Sequence, residues 1–158
     1  MRVLEVLSKG CAVVAGALLT LITLITCANL IGRNTIGITL AGDFELTAVA
    51  AGAAIALFLP WCQYKRGNII VDFFTSNNSA RANARLDRLG ALLLALVMAL
   101  MAWRTALGGV NAYSTNSGTM MLGFPEWVVY ALIAPPLALT ALVALWQATT
   151  GAVADAPP

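Results

Sequence analysis

The side chains that could perform proton or cation chemistry lie at the ends of long apolar segments and not within them. The acids are Glu5, Asp43, Glu45, Asp72, Asp87, Glu126 and Asp155. A proton- or cation-coupled carrier usually places a carboxylate, or the carbonyls of a broken helix, near the middle of the membrane. No carboxylate has such a position here, and the chain has no histidine. The sequence is therefore a poor candidate for a complete transporter, and it contains no Ser/His/Asp set and no glycine-rich phosphate loop.

Arg104 is the one charged residue well inside an apolar segment. The apolar stretch 89–102 precedes it, which places it in the second half of that segment. Two interpretations remain open. The guanidinium reaches the membrane surface beside Trp103, or it pairs with an acid or a partner protein. Glu45 and Glu126 begin segments on the same side and are the candidate acids.

The three cysteines, Cys11, Cys27 and Cys62, are widely spaced, and no C-x-x-C pair is present. This spacing is typical of small apolar side chains inside helices and does not indicate a metal site or a disulfide framework. We expect no cofactor and no metal.

The composition predicts an integral membrane protein. The chain is 60% hydrophobic and 10% charged, with a mean hydropathy of +0.85, whereas soluble domains are about 25% charged. Four apolar segments, at about 11–32, 45–62, 89–113 and 127–147, are each long enough to cross a hydrocarbon core of about 30 Å as a helix. The prediction is an all-α, four-helix transmembrane bundle forming one domain over 1–150, followed by a flexible tail over 151–158. The net charge of +2 does not indicate nucleic-acid binding.

The basic residues predict the orientation of the helices. Seven of the nine Lys and Arg residues lie before the first segment or between the second and third. They are Arg2, Lys9, Lys65, Arg66, Arg81, Arg85 and Arg88. Only Arg33 lies in the other loops. Because basic residues accumulate on the cytoplasmic side, both termini are predicted to be cytoplasmic.

The loop between the second and third segments is predicted to contain a short amphipathic helix on the cytoplasmic membrane surface. Arg81, Arg85 and Arg88 follow at helical spacing and share one face. Together with Lys65 and Arg66, they are candidate contacts for anionic lipid head groups. The alternative is that these residues only control the orientation of the helices in the membrane.

Several other charged residues are candidates for structural or subunit contacts. Arg33 and Glu45 flank the first outer loop and are suited to clamp it. Glu126 opens the fourth segment, and Arg104 lies within the third. Asp72 is hypothesised to cap or pair within the cytoplasmic loop, with Lys65, Arg66 or Arg81 as its partner.

Four stretches of the sequence resemble the small membrane subunit of tripartite ATP-independent periplasmic (TRAP) transporters. They are NLIGRNTIG (29–37), EL (45–46), WCQYKRGNIIVD (61–72) and PEWVVY (125–130). The family tends to have a His-x-x-Val-Asp-like element after a basic, glycine-containing turn. Here Asn68 stands in place of that histidine, so a titrating side chain is absent at this position.

The resemblance implies a subunit that is not an enzyme and belongs to a sodium-coupled secondary transporter of the bacterial inner membrane. In such systems a periplasmic binding protein captures a substrate, commonly an organic acid, and a large multi-helix membrane subunit transports it. The small subunit packs on the large one and enlarges its scaffold. The alternatives are a four-helix membrane enzyme and the small subunit of a tripartite tricarboxylate-type carrier.

Overall fold

The computed structural model describes residues 2–37, 41–67 and 80–150, and these residues form four α-helices. The helices are α1 (Arg2–Ile36), α2 (Asp43–Tyr64), α3 (Ala80–Ser114) and α4 (Glu126–Thr150). All four are long and apolar enough to cross a membrane. The described residues contain no β-strand, only an isolated bridge between Gly118 and Pro125. The all-α fold with four candidate transmembrane helices is therefore confirmed.

Two of the helices extend well beyond their apolar segments. α1 begins at Arg2 and not near residue 11, and α3 begins at Ala80 and not near residue 89. Each has 35 residues, which corresponds to about 50 Å and exceeds a hydrocarbon core of about 30 Å. In both helices the extension precedes the apolar run. Charged residues mark the limit of an apolar run, but they do not interrupt a helix as proline does.

The predicted surface helix is not a separate element in the described part of the chain. From Ala80 onward its residues are helical and continuous with α3. Residues 68–79, which contain Asp72, lie outside the described residues, as does the tail over 151–158.

The helices pack in the order α1, α2, α4, α3. α2 and α4 are central, α1 packs mainly on α2, and the described residues of α3 contact no helix except α4. The arrangement is an open row and not a closed bundle in which each helix has two full neighbours. α1 and α3 are its edge helices.

Small side chains allow the helices of the row to approach closely. Ala15 of α1 packs against Ala54 and Leu57 of α2. At the other end of the row, α3 packs closely on α4. A Cβ atom added to Gly108 or Gly109 of α3 would approach the Tyr130 side chain of α4 to 3.0 or 2.9 Å. Because apolar burial gives little driving force between helices in lipid, such close van der Waals packing is the main source of association.

The carboxyl ends of α2 and α3 close in the same way. At the end of α2, the N–H of Gly67 donates to the carbonyl of Cys62 and that of Arg66 to the carbonyl of Gln63. Arg66 has a φ of 52°, the left-handed conformation that this helix-ending motif requires. At the end of α3, Asn116 adopts a φ of 50° within an equivalent pair of hydrogen bonds. Both helices therefore end at defined positions.

Candidate functional site

A carboxylate at the start of α2 binds the loop between α3 and α4. The two oxygens of Glu45 accept hydrogen bonds from the backbone N–H groups of Met121, at 2.9 Å, and Leu122, at 3.2 Å. The Leu122 side chain lies directly on Gly42, where an added Cβ atom would collide with its Cγ. Gly42 has a φ of 83° and precedes the first residue of α2. We call these contacts of Glu45 and Gly42 the loop contact.

The loop held by Glu45 has its own internal hydrogen bonds. The N–H of Thr119 donates to the carbonyl of Phe124 at 3.0 Å, and the N–H of Phe124 donates to the Thr119 hydroxyl at 3.1 Å. Gly123, with a φ of 62°, makes the turn between them. Met120 and Met121 lie in this loop, and their side chains are exposed. The loop is thus a compact structure that presents apolar side chains.

Two buried glutamines join the carboxyl ends of α2 and α4. Nε2 of Gln63 donates to Oε1 of Gln147 at 2.7 Å, and Nε2 of Gln147 donates to the backbone carbonyl of Gln63 at 2.9 Å. The side chains are only 6% and 2% exposed. Buried amides require such partners because an unsatisfied polar group in an apolar environment costs free energy. We call this arrangement the glutamine pair.

Aromatic rings stack beside the glutamine pair. Tyr64 lies between Trp61 and Trp146, with ring centroids 5.9 and 6.4 Å apart and nearly parallel planes. The Nζ of Lys65 lies 5.2 Å from the centre of the Trp61 ring, which is within cation–π range. The end of α2 thus makes polar and aromatic contacts with α4, and Lys65 adds a cationic contact to the α2 residue Trp61.

A cleft of about 270 Å³, lined by both polar and apolar side chains, lies beside the glutamine pair. Its lining includes Arg66, Asp87, Gln63 and Gln147.

The other basic residues of this end lie outside the cleft lining. Lys65, Arg85 and Arg88 are exposed. Arg81 belongs to the first turn of α3, but its side chain is outside the described part of the structure. Their contact with lipid head groups stays a prediction.

The remaining predicted residues are not brought together in the structure. Arg33 is exposed at the end of α1, and within the described ranges it forms no ion pair with Glu45. Glu126 is the first residue of α4, and its backbone N–H donates to the carbonyl of Ser117. Arg104 is exposed on α3. Asp72 lies outside the described residues.

Sequence reasoning did not find the glutamine pair. Gln63 and Gln147 are the only glutamines in the chain, and each follows closely after a tryptophan at the end of an apolar segment. That shared position was the available signal. Nothing in it indicates that the two side chains meet, because they are 84 residues apart.

The described residues contain no group of three His, Cys, Asp or Glu side chains placed to hold a metal ion. Cys11, Cys27 and Cys62 form no disulfide.

The four candidate spans define a small helical membrane protein. Its polar contacts join α2 to α4 and to the loop before α4. Its sequence matches the family model described as "Tripartite ATP-independent periplasmic transporters, DctQ component" over residues 22–153. The chain therefore belongs to this family and is the small membrane component of a TRAP transporter. The match includes all four stretches on which the resemblance was based. No curated protein and no solved structure gave a significant match.

Proposed function

We propose that this chain is the accessory membrane subunit of a sodium-coupled carrier that takes up organic acids. It packs on a large multi-helix transport subunit and extends its scaffold, and a periplasmic binding protein delivers the substrate. The family match over residues 22–153 is the observation that carries this proposal.

The positions of the acids agree with an accessory role. Glu5, Asp43, Glu45 and Glu126 lie in the first turns of their helices. The carboxylate of Glu45 is used to bind a loop. Asp87 is the eighth residue of α3 and precedes the apolar run that begins at Leu89. The carboxylates of the described spans therefore lie outside the middle of the apolar runs, whereas coupled transport usually depends on groups near the middle of the membrane. The large subunit would supply those groups.

The proposed location is the bacterial inner membrane, with both termini in the cytoplasm. Basic residues at the start of α1, the end of α2 and the start of α3 support this orientation. In it, Trp61 and Trp146 lie at the cytoplasmic interface, which tryptophan side chains prefer. The loop contact then faces the periplasm.

The basic end of the row is proposed to lie against lipid head groups. Lys65 and Arg66 directly follow α2, and the first nine residues of α3 contain Arg81, Arg85 and Arg88. Arg and Lys near a cytoplasmic surface attract anionic lipids. The first turns of α3, from Ala80, would take the place of the predicted surface helix. Asp72 is proposed to pair in the adjoining loop, and Arg33 and Glu126 to contact neighbouring subunits at the opposite face.

Co-purification from native membranes tests the proposed function. The tagged chain is extracted in mild detergent, and the proteins that elute with it are identified by mass spectrometry. We expect a large multi-helix membrane protein in stoichiometric amount. A chain that elutes alone, or only with copies of itself, would contradict the accessory role.

Uptake by the purified complex tests the finer part of the proposal. Reconstituted with its binding protein, the complex should accumulate a radiolabelled organic acid only when a sodium gradient is imposed. Equal uptake driven by a proton gradient alone would refute sodium coupling.

A further inference from the structure

The exposed face of the edge helix α3 has a charge in the middle of an apolar stripe. Val97, Leu100, Arg104 and Leu107 follow at steps of three and four residues and therefore share one side of the helix. The three apolar side chains are 52%, 61% and 46% exposed, and Arg104 is exposed as well. Since the described residues of α3 contact only α4, this stripe has no neighbour within the chain.

Arg104 lies too deep for its side chain to reach the membrane surface easily. The end of α3 is marked by Tyr113, whose ring packs edge-on against Trp127 at 5.9 Å, and such aromatic side chains prefer the interface. Arg104 precedes Tyr113 by nine residues, which is about 13 Å along a helix. An extended arginine side chain covers roughly half of that distance. The guanidinium would thus remain below the level of the Tyr113 ring if lipid covered this face.

No acid of the described chain neutralises Arg104. Both oxygens of Glu45 are engaged by the loop, and no ion pair joins Arg104 to Glu126 within residues 80–150. A lone charge facing lipid is unfavourable, and charges inside membrane segments generally face protein or water and pair.

The other edge of the row has no such charge. Between Lys9 and Arg33, α1 contains no charged residue, and its exposed side chains include Val13, Leu21 and Leu24. Between Lys9 and Arg33, α1 therefore has no charge that would oppose contact with lipid. The difference between the edges indicates that α3, and not α1, faces another protein.

We propose that a helix of the large subunit docks on the Val97–Leu107 stripe of α3 and presents a carboxylate to Arg104. The guanidinium would donate two parallel hydrogen bonds to that carboxylate, a geometry that arginine favours, and the flanking aliphatic side chains would exclude lipid from the pair. This inference rests on the proposed function, because it requires the large subunit as partner.

Co-purification of charge variants tests the proposal. Arg104→Leu should reduce the large subunit recovered per tagged chain at least tenfold, because it leaves the partner's carboxylate unpaired within the interface. Arg104→Lys should retain part of the recovery, since it keeps the charge but not the bidentate geometry. The control is Thr20→Leu, which removes an exposed polar side chain from the opposite edge helix α1 and should leave recovery unchanged.

Photo-crosslinking distinguishes the two edges directly and does not depend on the stability of a charge variant. A photoreactive phenylalanine analogue placed at Leu100 or Leu107 should form an adduct with the large subunit. The same analogue at Leu21 or Leu24 of α1 should form none.

The outcomes separate the inference from the function on which it rests. If the wild-type chain recovers the large subunit and Arg104→Leu recovers as much, Arg104 reaches lipid phosphates and the inference is wrong. Adducts from α1 alone would also overturn it. If the wild-type chain recovers no large subunit, the proposed function itself fails, and the inference fails with it.

Discussion

The two ends of α2 are held by different kinds of contact. At its carboxyl end, the glutamine pair joins α2 to α4 through buried side-chain amides. At its amino end, the loop contact joins α2 to a loop through a carboxylate and backbone N–H groups. One end therefore connects helix to helix inside the packed row, and the other connects a helix to a surface segment.

This difference determines what each contact can control. The glutamine pair fixes the position of α2 relative to α4 along the helix axes, because a shift of one helix would break both hydrogen bonds. The loop contact orders a segment that presents Met120 and Met121, and it adds little to the packing of the helices. Damage at the carboxyl end should consequently lower overall stability, whereas damage at the amino end should loosen the loop.

The largest effect is expected for Gln147→Leu. The substitution removes the acceptor for the Gln63 amide and the donor to the Gln63 carbonyl, so two buried hydrogen bonds are lost. We expect the free energy of unfolding to fall by about 1–3 kcal/mol. Thermal unfolding of the purified chain in detergent measures this.

The control is the double variant Gln63→Leu with Gln147→Leu. Since it removes both amides, it should cost less than the sum of the two single variants. Additive losses would mean that the two side chains act independently, which would contradict a coupled pair.

Gly42→Ala should have the next largest effect, at the opposite end of α2. A side chain is strained at a φ of 83°, and its Cβ would collide with Leu122. We expect the free energy of unfolding to fall by about 1–2 kcal/mol. Hydrogen exchange at the backbone amides of Met121 and Leu122 should also become faster.

Gly52→Ala is the matched control for this change, because Gly52 lies within α2 with open space around it. It should be neutral or stabilising by up to about 1 kcal/mol. If both variants lowered the free energy of unfolding equally, the effect at Gly42 would come from helix packing and not from the loop contact.

Tyr64→Leu should destabilise the carboxyl end by about 1 kcal/mol, since it removes two stacked ring contacts. Tyr113→Leu removes a single edge-on contact, with Trp127, and should cost about half as much. Unfolding midpoints of the two variants in the same detergent test this ratio. A larger loss of stability for Tyr113→Leu, which lies on α3 and not on α2, would contradict the expected ratio.

The four helices were predictable because long apolar runs are required by the lipid, and those runs are visible in the sequence. The extent of α1 and α3 was not, since an apolar run marks where lipid surrounds the chain and not where the backbone stops being helical. In α3, Arg85 and Arg88 precede the apolar run, yet both lie within the helix.

The partners within the candidate site were less predictable, for two physical reasons. Glu45 was expected to clamp a loop with Arg33, but it binds backbone N–H groups of Met121 and Leu122. Nearly every residue has such a group, so no residue type identifies these two. The glutamine pair depends on the relative shift of α2 and α4, which follows from packing of similar apolar surfaces and is not encoded in a local pattern.

Glu45→Gln should have the smallest effect on overall stability and a clear effect on the loop. The amide retains one oxygen to accept from Met121 or Leu122, but its NH₂ group faces the other N–H and cannot accept. Hydrogen exchange at these two amides should therefore become several-fold faster, whereas the unfolding midpoint should barely change. The control is Glu126→Gln, the same substitution at the start of α4, which should leave exchange at both amides unaltered. If Glu45→Gln also leaves it unaltered, the packing of Leu122 on Gly42 holds the loop without the carboxylate. Gly42→Ala would then be the only one of these two variants that releases it.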